Sequence, residues 1–143
     1  MKGFQNVLVP VDFSPSSQGV IEAAVRVLDP TGRLLLLHVI EWLPSLTAGA
    51  LGVYPHAKDM AEIRRDSEQR LREEADRYPG VPIQVEVIEG KPGGAIIEVA
   101  EREKPDLIVV GSKSRKGLDH LLIGSVAERV LRKSRWPVLV YRD

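Results

Sequence analysis

The chain alternates short, continuous apolar runs with amphipathic segments, and this alternation restricts its fold more than any other feature of the sequence. Runs such as LLLL and LIVV contain no polar residue that could face the solvent, which predicts strands covered on both faces. Strands of this kind separated by helices are typical of an α/β domain with a parallel sheet, and right-handed crossovers place helices on both of its faces. The predicted strands are Asn6–Val11, Arg33–Ile40, Ile83–Ile88, Asp106–Val110 and Val138–Tyr141.

The amphipathic segments between these runs predict helices. Ser14 is a favourable N-cap and Pro15 a favourable first residue, so the first helix is predicted to begin there. The turn-forming residues DPTG at 29–32 are predicted to end it. The other helices are predicted over about 57–77, from Pro92 to near KPD, and from Ser125 to about Lys133.

Size and composition exclude several classes of protein. The 143 residues are predicted to form one domain, 1–143, and the 20 basic and 20 acidic residues cancel, so no general attraction to nucleic acid or membranes is expected. The chain has no cysteine, which excludes disulfides, thiolate metal sites and cysteine nucleophiles. It has no signal-like N-terminus and no apolar stretch near the roughly 20 residues of a membrane span, so a cytoplasmic location is predicted.

The connection at 42–56, WLPSLTAGALGVYPH, is long and apolar for a loop in a compact domain. Loops of this length commonly act as lids or binding loops, and a partly disordered excursion is the alternative. The sequence leaves both interpretations open.

Two predicted strands end in residues with binding chemistry. Asp12 directly follows the first strand, and the fourth strand leads into GSKSRKGLDHLLIGS at 111–125. In open parallel sheets, ligands bind beyond the carboxyl ends of the strands, where the strand order reverses. If these two strands are neighbours there, Asp12 and Gly111 face one crevice, in which a carboxylate can accept hydrogen bonds from ribose hydroxyls.

The segment after the fourth strand has the residue types of an anion site. Gly111 has no Cβ and tolerates a positive φ, so backbone N–H groups can approach a phosphate closely. Gly124 and Ser125 open a helix, whose free N–H groups and dipole attract an anion. Local positive charge is contributed by Lys113, Arg115 and Lys116.

Each of these features also has a simpler interpretation. An aspartate after a strand commonly forms a turn or a cap, Gly-Ser before a helix is an ordinary N-cap, and basic loop residues are commonly solvated. Their combination favours an anion or nucleotide site. Competing motifs are absent, because GxxxxGK[ST], GxGxxG and GxSxG do not occur. The histidines His38, His56 and His120 lack metal-ligand spacing, and His38 within LLLLHVI is predicted to lie in the core.

Nearly the whole chain resembles the universal stress protein family. The resemblance is carried by NVLVPVDFS, LLLLHVIE, GKPGGAIIEVAE, PDLIVVGS and GSVAERVLRKSRWPVLV. It implies a Rossmann-like, adenine nucleotide alpha hydrolase-like fold, with a single open parallel sheet of five strands in the order 3-2-1-4-5. That order places strands one and four side by side.

One branch of this family binds ATP through the pattern G-x2-G-x9-G-(S/T), and another branch lacks the pattern and does not bind. Gly111, Gly124 and Ser125 match, whereas Ser114 stands at the second glycine. A left-handed backbone at Ser114 would cost about 1–2 kcal/mol, although its hydroxyl could instead bond to a phosphate. The resemblance implies that Pro10, Asp12 and Val39 hold the adenosine, and that the matching glycines and Ser125 hold the phosphates. The complete predicted binding set is Pro10, Val11, Asp12, Val39, Val110, Gly111, Lys113, Ser114, Arg115, Gly124, Ser125 and Val126.

The sequence therefore favours a stress-response protein regulated by ATP, or by ADP or AMP, with Mg²⁺ as the ion that would accompany the phosphates. The alternative is a dimeric scaffold of the same family that binds no nucleotide. Slow ATP hydrolysis is a third hypothesis, but no second acidic residue has an assignable role beside Asp12, so no catalytic residue is predicted. A homodimer is predicted through the apolar edge strand at 137–141, and the sequence names no protein partner.

Overall fold

The computed structural model describes residues 2–41, 57–112 and 123–143. One parallel sheet in the order β3-β2-β1-β4-β5 runs through this part of the chain, which confirms the predicted fold. The elements are β1 (Phe4–Pro10), α1 (Ser17–Val27), β2 (Leu28–Ile40), α2 (Ala57–Asp76), β3 (Ile83–Glu89), α3 (Pro92–Glu103), β4 (Leu107–Gly111), α4 (Ser125–Lys133) and β5 (Val138–Tyr141).

Helices cover both faces of the sheet, and this explains the continuous apolar runs. On one face, Val7 and Val9 of β1 pack in the same layer as Ile21 of α1. On the other face, Leu8 packs in the same layer as Ile96 of α3. All five side chains are buried. Because neighbouring residues of a strand enter opposite layers, the strand has no position that favours a polar side chain.

α1 begins at Ser17, so the predicted start at Pro15 with Ser14 as N-cap is wrong. The Asp12 carboxylate accepts a hydrogen bond from the Ser14 N–H at 2.9 Å, and the Ser14 carbonyl accepts one from the Ser17 N–H at 3.0 Å. These two bonds form a turn ahead of the helix. The predicted end of the helix is confirmed, since α1 ends at Val27.

The turn predicted after α1 lies inside the first part of β2. The strand begins at Leu28 rather than Arg33, and the register of its pairing with β1 shifts before Arg33. Within this irregularity, Oδ1 of Asp29 accepts hydrogen bonds from the N–H of Thr31 at 3.0 Å and from its hydroxyl at 2.7 Å. These bonds hold the pKa of Asp29 below its ordinary value of 3.8. A local turn and a strand therefore share the same residues.

An aspartate joins β1 and β4 at their amino ends. Oδ1 of Asp106 accepts the Asn6 N–H at 2.8 Å, and Oδ2 accepts the Gln5 N–H at 2.7 Å. The Asp106 N–H donates to the Asn6 carbonyl at 2.9 Å. These three bonds hold the central strands together at the end of the sheet opposite to the predicted binding crevice.

The same two strands separate toward their carboxyl ends. β1 and β4 pair at Val7↔Leu107 and Leu8↔Ile108, and their ladder stops there. Beyond that point β1 stays paired with β2, while β4 stays paired with β5 as far as Gly111↔Tyr141. Since the strand order reverses between β1 and β4, this separation opens a crevice at the position where such sheets bind ligands.

We expect Asp106→Ala to lower the free energy of unfolding by about 1–2 kcal/mol, because two N–H groups of β1 lose a charged acceptor. Chemical denaturation followed by circular dichroism measures this change. Glu101→Ala is the control, because the Glu101 carboxylate makes only an exposed ion pair with Arg135 at 3.9 Å, among the described residues. Such pairs contribute about 0–1 kcal/mol. Equal losses in the two variants would contradict the prediction.

Candidate functional site

The candidate site is the crevice between the β1–α1 loop, the carboxyl end of β4 and the start of α4. We name it the switch-point crevice and define it by Asp12, Gly111 and Gly124. Asp12 follows β1, Gly111 ends β4, and Gly124 is the N-cap of α4. The fold therefore brings together the three positions that the sequence placed far apart.

Asp12 is exposed, and its carboxylate is oriented by its own loop. Oδ1 accepts the Ser14 N–H at 2.9 Å and the Ser17 hydroxyl at 3.0 Å. The interpretation of Asp12 as a turn residue is therefore correct, and it is compatible with binding. A carboxylate offers about four acceptor positions, so a group of this type can orient its own loop and also accept from a ligand hydroxyl.

Serines of the Asp12 loop lie beside the end of β4. The Ser14 hydroxyl lies 2.9 Å from the Ser16 hydroxyl. A Cβ on Gly111 would lie 3.9 Å from Oγ of Ser16 and 3.2 Å from Cγ2 of Val20. The loop that carries Asp12 therefore lies beside Gly111.

The role of Gly111 differs in part from the prediction. Among the described glycines, only Gly90 has a positive φ, so a left-handed backbone is not what Gly111 provides. Its missing Cβ matters instead, because a side chain would crowd Val20 of α1 at 3.2 Å. Gly111 allows α1 to approach the strand end, and it leaves the backbone at the crevice uncovered by a side chain.

Phe13 has a left-handed backbone, with φ of 59°, which costs a non-glycine residue about 1–2 kcal/mol. Its ring packs on the ring of His38, with centroids 4.3 Å apart, and the Arg70 guanidinium lies 3.9 Å from the Phe13 centroid. His38 is buried, and its Nδ1 donates to the Val11 carbonyl at 2.7 Å, since a carbonyl oxygen can only accept. His38 is thus the core histidine that was predicted, and it also supports the loop beside Asp12.

α4 begins at the crevice with a glycine N-cap. Gly124 has an extended backbone, with φ of −61° and ψ of 156°, and has no side chain to accept from the first-turn N–H groups. Its own N–H donates to the Ser112 carbonyl at 2.6 Å, and the Ser112 N–H donates to the Tyr141 carbonyl at 2.9 Å. These bonds tie the helix start to β4. The positive end of the helix dipole therefore lies at the strand ends, where an anion is favoured.

The other predicted site residues fall into three groups. Val11, Val39 and Val110 are buried, and Val39 and Val110 pack in the layer of α3 and α4. Ser125 and Val126 are exposed in the first turn of α4, and Pro10 is partly buried at the end of β1. Lys113, Ser114 and Arg115 lie outside the described residues, as does the loop at 42–56.

Sequence reasoning missed Phe13 and Ser16. Ser16 lies beside Gly111, and Phe13 anchors the Asp12 loop to His38. The dense serines of DFSPSS were the only local hint of a structured loop. The strained Phe13 conformation depends on a residue in another strand, so no local pattern could indicate it.

The described residues of the crevice offer a carboxylate and a helix N-terminus, and they form no all-protein metal centre. A carboxylate suits sugar hydroxyls, and a helix N-terminus suits phosphates. Residues 2–41, 57–112 and 123–143 contain no group of three or more histidine, aspartate or glutamate side chains that could hold a metal ion. From the described residues, an Mg²⁺ ion would thus be held mainly through the phosphates, with Asp12 as the nearby carboxylate.

The surface also has two grooves. One, of about 240 Å³, adjoins the Asp12 loop and is lined by Phe13, Ser14 and Arg70, among others. The other, of about 520 Å³, lies along the edge strand β3.

No helix in the described part of the chain is both long and apolar enough to cross a membrane.

Comparison with known proteins gives a consistent result. The model of the universal stress protein family matches residues 3–142. Universal stress protein MJ0531 of Methanocaldococcus jannaschii is 30% identical over 141 residues, which cover 97% of this chain and 82% of the relative. The solved structure of hypothetical protein MJ0577 has a TM-score of 0.82 at 24% identity, covering 97% of this chain and 96% of that chain; it comes from the same organism. A crystal structure of a universal stress protein in complex with cAMP has a TM-score of 0.67 at 25% identity, covering 98% of both chains.

Proposed function

The chain belongs to the universal stress protein family, and we propose that it binds an adenine nucleotide, ATP foremost, in the switch-point crevice. The bound nucleotide would set the conformation of the protein and its choice of partners. The protein would act as a cytoplasmic regulator rather than as a catalyst.

One observation carries this proposal. The Asp12 loop lies beside Gly111, where β1 and β4 separate and α4 begins: Oγ of Ser16 would be 3.9 Å from a Cβ added at Gly111. A ribose acceptor and an anion-attracting helix start thus adjoin a single crevice. The structural relative in complex with cAMP supports an adenine nucleotide as the ligand class.

Calorimetric titration of the wild-type protein with ATP, with and without Mg²⁺, tests the proposal. We expect saturable binding with a dissociation constant below about 1 mM, which corresponds to at least 4 kcal/mol of binding free energy. No heat of binding at millimolar ATP would exclude nucleotide regulation. Incubation of the protein with ATP should release phosphate no faster than free ATP does.

A dimeric scaffold without nucleotide is the second candidate function. Two observations favour it. Asp12 already accepts hydrogen bonds from Ser14 and Ser17 of its own loop, and Ser114 replaces a glycine of the ATP-binding pattern. Ser114→Gly separates the two candidates. Binding that appears only in this variant would show that the serine blocks the site and that the natural protein is a scaffold.

We also propose that the chain forms a homodimer through β5. This strand is outermost in the sheet, and its residues Val138–Tyr141 are apolar and partly exposed. An apolar edge of this kind tends to be covered or paired. We expect light scattering at micromolar concentration to give the mass of a dimer for the wild type and of a monomer for Val140→Lys, since an edge lysine opposes strand pairing. A monomeric wild-type protein would contradict the proposal.

A further inference from the structure

The opposite edge of the sheet has a groove that is separate from the switch-point crevice. Among the described strands, β3 is outermost on this side. A groove of about 520 Å³ runs along its amino-terminal half, between the end of α2 and the end of α3. Ile83 and Val85 of β3 line it, with Asp76 on the α2 side and Glu103 on the α3 side.

Hydrogen bonds at both ends of β3 fix which of its backbone groups face outward. The Leu34 N–H donates to the Pro82 carbonyl at 3.0 Å, and the Gly90 N–H donates to the Ile40 carbonyl at 3.0 Å. Along a strand, the N–H and carbonyl of one residue point to the same side, and the side alternates with each residue. Even-numbered residues of β3 therefore bond to β2, and the backbone groups of Ile83, Val85 and Val87 point away from the sheet.

Arg64 occupies one end of this outward edge. Its Nη1 donates to the Val87 carbonyl at 3.0 Å, which agrees with the assigned direction, and its Nη2 donates to Glu89 at 3.0 Å. No described residue bonds to the outward backbone groups of Ile83 or Val85. As far as the described residues go, the amino-terminal half of the edge is thus open, and it lies over the groove.

The charged side chains of the groove carry a small net negative charge. The carboxylates of Asp76, Glu86 and Glu103 line it together with the guanidinium of Arg72. Arg102 pairs with Glu86 and Glu103, and this pairing raises the pKa of Arg102. Carboxylates still outnumber guanidiniums by three to two. α2 and α3 both end here, and each helix C-terminus adds about half a negative charge.

From these observations we infer that the β3 edge at Ile83 and Val85 binds an extended, basic peptide segment of another protein as an added strand. The peptide backbone pairs with the outward N–H and carbonyl groups, and its lysine or arginine side chains meet the carboxylates of the groove. Arg64 ends the added strand at Val87. A second copy of this chain fits poorly, because two-fold pairing would place two net negative grooves against each other.

A labelled peptide of the sequence Lys-Val-Lys-Val-Lys tests the inference by fluorescence anisotropy at low salt. We expect saturable binding to the wild-type protein with a dissociation constant below about 1 mM. The same peptide with N-methylated valines keeps its charge and side chains but cannot pair as a strand, so it should bind at least about tenfold more weakly. A Glu-Val-Glu-Val-Glu peptide should not bind.

Two variants of the edge residue separate backbone pairing from side-chain packing. Val85→Pro and Val85→Ala both remove the valine methyl groups, but only proline removes the outward N–H, which an edge position tolerates. The proline variant should bind the lysine peptide roughly tenfold more weakly than the alanine variant. If the proline variant does not fold, as judged by circular dichroism, the double variant Asp76→Lys with Glu103→Lys provides the test. It should also bind roughly tenfold more weakly, and its loss should shrink in high salt.

Three results would overturn the inference: no binding of the lysine peptide at about 1 mM, equal binding of the N-methylated peptide, or no loss in the charge-reversed variant. Sedimentation measurements test the remaining alternative, which is that this edge pairs with a second copy of the chain. Self-association that Val85→Pro abolishes and Val85→Ala retains would assign the edge to a second copy of the chain and would also overturn the peptide assignment.

Discussion

Asp12→Ala is expected to weaken the binding of adenosine and of ATP by the same factor, roughly 10- to 100-fold. Hydrogen bonds to a charged group contribute about 1.5–3 kcal/mol, and a carboxylate at the ribose would contribute this amount whatever phosphates follow. Calorimetric titration of both ligands against the wild type and the variant measures the two factors. Asp12→Asn keeps an acceptor oxygen without the charge, so it should lose less affinity than the alanine variant.

The control for this prediction is Ser17→Ala. Asp12 also accepts hydrogen bonds from Ser14 and Ser17, so its removal loosens the loop as well as the ribose contact. Ser17→Ala removes one of those loop bonds and keeps the carboxylate. If it weakens nucleotide binding as much as Asp12→Ala does, the carboxylate acts only by shaping the loop, and a direct contact with the ribose is refuted.

The fold could be predicted because its main determinant, the continuous apolar runs, can be read directly from the sequence. A strand covered on both faces needs apolar residues at every position, and LLLL and LIVV have this composition. Element ends were less predictable, because single side chains decide them. The Asp12 carboxylate accepts a hydrogen bond from the Ser14 N–H and so forms a turn. The helix therefore begins at Ser17 instead of at Pro15.

Part of the candidate site could be predicted from single residues. A carboxylate after a strand and a glycine before a helix indicate Asp12 and Gly124 as candidates, although each also has a structural interpretation. Phe13 could not be predicted, because its left-handed backbone is stabilised by a ring contact with His38 in another strand. The implied strand order makes β3 an edge strand, but it does not indicate which outward backbone groups are already bonded, as the Val87 carbonyl is to Arg64.

Gly124→Ser is expected to weaken ATP binding by up to about 2 kcal/mol, roughly 30-fold, and to leave adenosine binding unchanged. Serine is a strong N-cap, and the extended backbone at Gly124, with φ of −61° and ψ of 156°, accepts it without strain. Its hydroxyl would accept hydrogen bonds from the same first-turn N–H groups that the phosphates need. Titration with adenosine, AMP and ATP measures the effect, which should grow with the number of phosphates.

Gly124→Ala is the matched control, because it adds the same Cβ without the oxygen. The serine variant should be about 1 kcal/mol more stable than the alanine variant, since only serine caps α4. It should nevertheless bind ATP more weakly than the alanine variant does. A higher stability together with a weaker ATP affinity is the result expected only if the serine hydroxyl and the phosphates compete for the first N–H groups of α4. A general loss of folding would lower both stability and ATP affinity. Equal ATP affinities in the two variants would place the phosphates away from α4 and leave Asp12 as the main determinant of the site.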